Sequence, residues 1–168
     1  NSAAKNVGTT AGTVAAGDDN RFIYRVTPRQ FGAVGDGVTN DAVALQTMLD
    51  ALDRVVNTQT LIAPRVIIDL DSRVYATAAP LAANLAPWTS IENGVLRAVG
   101  TGFASSDFML DLSGSNALAN TALRVNIGME CDKKCRALKI TNAPRFLVDV
   151  DANRYTDKGC EIGGNIWL

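Results

Sequence analysis

The sequence predicts a mostly β fold of the solenoid type, with one amphipathic helix near its start and an extended arm before that helix. Three observations predict it: a glycine-rich turn that runs into a helical pattern near residue 40, a series of short strands after residue 60, and a spacing of 22 to 23 residues between the last strands. Repeats of this kind are typical of solenoids, in which each turn of the chain packs mainly on its neighbours.

The first twenty residues differ in composition from the rest of the chain. Residues 1–20 are mainly Ala, Gly, Thr, Ser and Asn, with almost no large apolar side chain. Such a segment buries too little apolar surface to offset its ordering entropy, so we expect an extended arm that only a partner would order. The boundary of the folded part is expected near Arg21.

Three glycines open the stretch FGAVGDGVTNDAVALQTMLDAL at residues 31–52. Gly35 and Gly37 allow a positive φ on either side of one aspartate, which favours a tight turn. The glycine order is the reverse of the dinucleotide-binding fingerprint, and Val38 stands where a phosphate-binding loop needs its lysine. The glycines are therefore predicted to shape the backbone and not to bind a nucleotide.

An amphipathic helix is predicted directly after this turn. Thr39 or Asn40 is expected to cap it, and Asp41 to lie in its first turn, where the helix dipole favours a negative charge. The apolar residues follow helical spacing over about four turns. They are Leu45, Met48, Leu49, Leu52 and Val56.

Short strands are predicted in the remaining chain. Their apolar segments read RVIIDL, GVLRAV, FMLDL, LRVNI, ALKI, FLVDV and CEIGG, and turn-forming residues separate them. Val125 and Val148 lie 23 residues apart, and Ile140 and Ile162 lie 22 apart. This spacing suits three short strands and three turns, and it predicts that each pair occupies neighbouring turns of a solenoid.

The glycine turn and helix closely resemble the start of the pectin-lyase-like right-handed β-helix proteins, which typically reads F-G-A-x-G-D-G-x-x-D-D-x-x-A-x-Q. That family includes pectate lyases, polygalacturonases, β-1,3-glucanases and many bacteriophage tailspike depolymerases. Asn40 stands where an aspartate is usual, and Val43 and Leu45 depart mildly. The matching residues are Phe31, Gly32, Ala33, Gly35, Asp36, Gly37, Asp41 and Gln46.

The resemblance implies a right-handed parallel β-helix whose first turns are covered by the helix as an N-terminal cap. A solenoid end needs such a cover because it exposes a sheet edge. YATAAPL, residues 75–81, also resembles the extended passage that follows the cap helix in this family. The expected units are residues 21–60 (opening strand, glycine turn and cap) and residues 61–168 (the first turns of a truncated β-helix).

The arm carries a second resemblance. Residues 8–21, GTTAGTVAAGDDNR, look like a segment often found in phage tail fibres and tailspikes just before the receptor-binding body. The two resemblances together imply the N-terminal part of a phage tailspike. Residues 1–20 would attach it to tail or baseplate proteins of the virion, and a homotrimer would bind bacterial surface polysaccharide.

Two alternatives of the same fold stay open: a secreted cellular enzyme similar to pectate lyases or glycoside hydrolases, and a tail adaptor without enzymatic activity. In the family the active site lies several turns beyond the cap, so a lyase or hydrolase site is expected outside these residues. The catalytic residues are therefore unassigned.

Two pairs of aspartates are candidate functional residues. Asp149 and Asp151 occupy alternate positions of a predicted strand, so both carboxylates should project from its outer face, about 7 Å apart. That spacing suits a glycosidase or a lyase that binds an acidic sugar through calcium. Asp69 and Asp71 repeat the pattern, and a solvated strand face is the more ordinary interpretation of both pairs.

The residues that follow Asp149, and two tryptophans, are further candidates for a functional or structural role. The run from Asp149 begins like a calcium loop, but Arg154 and Cys160 replace the glycine and glutamate of an EF-hand. Arg154, Tyr155 and Trp167 could line a sugar groove, although packing is their commoner role. Trp88 is predicted to anchor the core beside the cap.

The composition excludes several classes of function. The chain has no histidine, which argues against His-based catalysis and His-liganded metals, and we predict neither a metal nor a cofactor. With 16 Lys and Arg against 17 Asp and Glu, it lacks the basic excess typical of nucleic-acid binding. Cys131 and Cys135 could form a local disulfide, or these two and Cys160 could all be reduced.

The two ends of the sequence suggest a fragment of a longer chain. It begins with Asn1 and ends on an apolar run, Ile166, Trp167 and Leu168, that resembles the inside of a strand. No signal peptide is visible, and no apolar run approaches the roughly 18 residues of a membrane helix. We therefore expect no membrane insertion and a place in the virion, with secretion as the alternative.

Overall fold

A computed structural model describes residues 24–52, 66–85, 88–114, 122–141, 145–154 and 159–163. It confirms a mostly β fold with parallel sheets. A 3₁₀ helix spans Pro28–Phe31, and helix α1 spans Ala42–Leu52. The strands are β1 (Tyr24–Val26), β2 (Asp36–Asn40), β3 (Val66–Thr77), β4 (Leu81–Leu85), β5 (Thr89–Ala98), β6 (Phe108–Gly114), β7 (Ala122–Glu130), β8 (Arg136–Thr141), β9 (Arg145–Asn153) and β10 (Cys160–Gly163).

The strands form two parallel sheets. The six-stranded sheet runs β1-β3-β5-β7-β9, with β2 also paired to β3, and the four-stranded sheet runs β10-β8-β6-β4. From β3 to β10, successive strands alternate between the two sheets. Each of the seven segments predicted as strands overlaps one of the strands β3 and β5 to β10.

The register confirms the predicted spacing at the end of the chain. Val125 pairs with Val148, and Ile140 pairs with Ile162. Ile68 and Ile91, which pair across β3 and β5, also lie 23 residues apart, whereas Ile91 and Val125, which pair across β5 and β7, lie 34 apart. The repeat is therefore interrupted between β5 and β7, because more residues separate those two strands.

The strands of the six-stranded sheet are longer than the sequence pattern predicts. β3 has 12 residues and β5 has 10, and each contains a register shift with its neighbour. At the shifts, Asp71, Ser72 and Asn93 adopt a positive φ. Each long strand thus consists of two short segments joined through a bend. The sequence pattern indicated the first segment of β3, through RVIIDL, and the second segment of β5, through GVLRAV, but it missed the first segment of β5.

One hydrophobic cluster joins both sheets and the helix. Alternate residues of β4 show the two faces: Leu81, Ala83 and Leu85 are buried, and the residues between them are exposed. Helix α1 adds three side chains from one face, as predicted: Leu45, Met48 and Leu49. Val56 and the arm at residues 1–20 lie outside the described residues.

Helix α1 begins one residue later than predicted. The side chain of Asn40 accepts a hydrogen bond from Ala42 N–H at 3.1 Å, which supports its predicted capping role. Asp41 precedes the helix instead of lying in its first turn. Its buried carboxylate accepts hydrogen bonds from Val34 N–H (2.7 Å) and Gly35 N–H (3.0 Å), so it fixes the glycine turn.

The helix also pairs with the edge of a sheet. β4 is an edge strand, and Gln46 in α1 bonds both backbone groups of Ala82. The Gln46 Nε2 donates to the carbonyl at 2.8 Å, and its Oε1 accepts from the N–H at 3.1 Å. One side chain therefore satisfies edge groups that would otherwise need another strand or water.

The prediction for Trp88 was wrong. Its side chain is 50 % exposed, and its backbone has φ of 63°. The residue lies just before β5, where the chain turns between the sheets. In the described part of the chain, no helix has the length and apolar character needed to span a membrane.

Candidate functional site

The carboxyl ends of β5, β7 and β9 meet at one edge of the six-stranded sheet, because the three strands are parallel neighbours. Residues at these ends line an open pocket of about 730 Å³, which we call the carboxyl-edge pocket. Its charged and amide side chains are Arg97, Glu130, Asp132, Lys134, Asn153 and Arg154.

Ion pairs hold the charged groups of this pocket in place. Arg97 Nε contacts Glu130 Oε2 at 2.5 Å, and this hydrogen bond raises the pKa of the guanidinium. Asp132 accepts from Arg154 Nη2 at 2.7 Å and lies 3.4 Å from Lys134 Nζ. Three cations therefore share two carboxylates, and planar guanidinium groups present fixed donors to a ligand.

The backbone under the pocket is unusual. Asp132, Lys133 and Arg154 all have a positive φ, between 46° and 57°. The N–H of Lys133 donates to the carbonyl of Arg154, and the N–H of Cys131 donates to that of Asn153 at 2.9 Å. Left-handed non-glycine residues tend to cluster at functional sites, so this geometry favours a binding role for the edge.

A second, shallower depression of about 430 Å³ lies on the outer face of the same sheet. Glu92, Asn126 and Asp149 are paired in register across β5, β7 and β9, so their carboxylate and amide groups form a row. Asp149 and Asp151 are exposed, as predicted. The residues that alternate with them, Val148 and Val150, pack against the core.

The two predicted aspartate pairs have different surroundings. Asp69 is not on a solvated face: it is 9 % exposed and accepts hydrogen bonds from Asp71 N–H, the Asn93 amide and the Arg25 guanidinium. Burial alone would raise the pKa of Asp69, but these bonds lower it. Asp69 is therefore a structural acceptor at the bend of β3, where Asp71 is exposed and has a positive φ of 54°.

All three cysteines are free thiols. Cys131 and Cys135 are completely buried, and Cys160 is exposed. Of the two alternatives for the cysteines, the structure therefore has the one in which all three are reduced. Among the described residues, no group of three or more His, Cys, Asp or Glu side chains is arranged to hold a metal ion.

Of the residues predicted to line a sugar groove, Arg154 lies in the carboxyl-edge pocket. Tyr155 and Trp167 lie outside the described residues. Sequence reasoning missed Arg97, Glu130 and Lys134. Arg97 and Glu130 lie at or near the carboxyl ends of predicted strands and Lys134 lies in the turn after Glu130, but only the register shows that these ends are neighbours.

Comparison of the chain with protein-family models, with curated proteins and with solved structures gives no match. The function is therefore argued from the chain's own residues and from the resemblance of its glycine turn.

Proposed function

We propose that this chain is the N-terminal part of a phage tailspike, folded as a right-handed parallel β-helix capped by α1. The observation that carries the proposal is the alternation of β3 to β10 between two parallel sheets, which one continuous solenoid would produce. The double hydrogen bond of Gln46 to the edge strand β4 supports the capping role of the helix.

The proposed role of this part is to attach to the virion through residues 1–20 and to present a surface that binds bacterial polysaccharide. The carboxyl-edge pocket supports glycan binding, because ion-paired Arg154, Arg97 and Asp132 offer donors and acceptors in fixed positions. Sugar hydroxyls both donate and accept, so they suit such a mixed set. In a homotrimer, three such sites would bind a repeating glycan with avidity.

The first experiment is the oligomeric state, measured by light scattering on the purified chain. We expect a trimer. A stable monomer at micromolar concentration would contradict the trimeric spike and favour the secreted monomeric enzyme. Release of oligosaccharides from a bound polysaccharide would separate an enzymatic spike from an inert adaptor.

The second experiment tests the pocket. We expect Arg154→Gln to weaken binding to a bacterial surface polysaccharide by about tenfold, since hydrogen bonds to a charged group contribute about 1.5–3 kcal/mol. The glycan is first selected by screening a panel of such polysaccharides. Arg124→Gln is the control: Arg124 is exposed on β7 of the same sheet but does not line the pocket. Equal affinity of the two variants would contradict the assignment.

A further inference from the structure

The strongest feature outside the proposed glycan site is a pair of cysteines in the connection between β7 and β8. Cys131 directly follows β7, and Cys135 directly precedes β8. We call residues 131–135 the cysteine turn. Both cysteine side chains are completely buried, and the two thiols are hydrogen-bonded to each other.

The backbone of the cysteine turn holds the two thiols together. The N–H of Lys134 donates to the carbonyl of Cys131 at 2.9 Å, which closes the turn. The turn is fixed at both ends, since Cys131 N–H bonds Asn153 and Arg136 N–H bonds Asp107 at 2.8 Å. Disulfides form where two Cβ atoms are close and face each other, and thiols in mutual contact across a closed turn are near that geometry.

The two thiols differ in acidity. The hydrogen bond from Cys135 lowers the pKa of Cys131, and the same bond raises the pKa of Cys135. Cys131 is thus the thiol that ionises first, and the thiolate is the reactive form. Between the two cysteines, Asp132 and Lys133 are exposed, so opening of the turn would admit a small reagent.

We infer that Cys131 and Cys135 are a redox-active pair that a small-molecule disulfide converts into an intramolecular disulfide. The Cys131 thiolate attacks one sulfur of the reagent, which releases the first thiol and leaves a mixed disulfide. Cys135 then loses its proton and attacks the Cys131 sulfur, which releases the second thiol. The protein loses two electrons and two protons, and the electrons reduce the reagent to two thiols.

This pair is positioned to influence the carboxyl-edge pocket. Asp132 and Lys134 belong to the cysteine turn and line the pocket, and Asp132 holds Arg154. Oxidation would covalently close the turn and restrict these side chains. The inference does not depend on the glycan proposal, because the redox chemistry is read out without a ligand.

The test uses the full chain carrying Cys160→Ser, which removes the exposed thiol and leaves only the pair. The variant is equilibrated in glutathione buffers from fully reduced to fully oxidised, denatured in acid and labelled with a maleimide. Intact mass then counts the labels. We expect two species only, one with two labels and one with none, exchanging through a single two-electron transition.

Two results would overturn the inference. One is retention of two labels in fully oxidised buffer, with glutathione added to Cys160 of the unmodified chain as proof that the reagent was active. The other is accumulation of glutathione adducts on Cys131 or Cys135 instead of an internal disulfide. Cys135→Ser in the Cys160→Ser background is the control, and it should end as an adduct on Cys131.

A second measurement separates a working pair from cysteines that serve only as packing. Hydrogen exchange of Lys133 and Lys134 is compared between reduced and oxidised protein. We expect at least tenfold slower exchange in the oxidised form, because the turn can no longer open freely. Unchanged exchange would show that the disulfide does not restrain the pocket.

Discussion

The glycine turn at residues 35–37 and the cysteine turn at residues 131–135 solve one geometric problem with different residues. Both use a positive φ at two positions. In the first, Gly35 and Gly37 have φ of 69° and 74°, and in the second, Asp132 and Lys133 have 46° and 57°. Glycine adopts such angles without a steric penalty, whereas other residues are strained there.

The difference lies in what packs on each turn. A Cβ on Gly35 would lie 2.7 Å from Cε1 of the fully buried Tyr75, so no other residue fits without a shift. Asp132 and Lys133 instead extend into solvent. A positive φ therefore requires glycine where the turn lies on the core, and a strained residue is tolerated where its side chain extends into solvent.

The largest expected effect is on the glycine turn. Gly35→Ala should lower the free energy of unfolding by about 3 kcal/mol, from about 1–2 kcal/mol of backbone strain and about 1–3 of overlap. Gly100→Ala is the control: its φ is 65°, but its Cβ would lie an ordinary 3.5 Å from Ala78. Urea denaturation measures both, and equal losses would show that packing on Tyr75 is not the cause.

The next effect concerns the carboxylate that fixes the same turn. Asp41→Asn should lower the free energy of unfolding by about 2 kcal/mol, because one of two N–H groups, the partly buried one of Val34 or the buried one of Gly35, loses its acceptor. Asp50→Asn is the control, since Asp50 is exposed and accepts from Gln46 on the helix surface. Equal midpoints in urea for the two variants would refute the role of Asp41.

A smaller effect is expected in the cysteine turn. Lys133→Gly should raise stability by up to about 1 kcal/mol, because relief of strain outweighs the added freedom of the unfolded chain. Lys134→Gly provides the contrast. Its φ is not positive, so the same substitution should destabilise by about 0.5–1 kcal/mol. Thermal melts of both variants would reveal whether the strain is real.

The smallest effect is a pH dependence at Asp36, an exposed residue of the glycine turn. Hydrogen bonds from Thr39 and Val38 N–H and from the Thr39 hydroxyl lower the pKa of Asp36 from 3.8 to about 2. Since the folded pKa is lower than the unfolded one, the stabilisation is present above about pH 4 and is lost as the pH falls through about 2. Asp36→Asn should make the melting temperature less dependent on pH over this range. An unchanged pH dependence would exclude Asp36 as the cause of that dependence.

Much of the secondary structure was predictable because local patterns encode it. The apolar spacing of α1 identified its buried face, and the alternation of LVDVDAN placed Asp149 and Asp151 outside. The spacing from Val125 to Val148 even predicted a register that β7 and β9 confirm. Trp88 was wrongly predicted to lie in the core, because apolar character alone does not determine whether a turn residue is buried.

The carboxyl-edge pocket could not be predicted in this way. Arg97, Glu130 and Arg154 come from three separate strands, and only the pairing of those strands brings their ends together. The bend at Asp71 was also hidden, since the register shift arises between strands and not within one.

The sequence by itself determined the helix, the strands, the glycine turn and the last repeat spacing. These depend on side-chain periodicity and on the backbone freedom of glycine, which act over a few residues. The tertiary structure alone decided which strand ends meet, which aspartates are buried and which charged groups share the carboxyl-edge pocket. Such contacts depend on the lengths of the connections and on competition for the core, which no local pattern records.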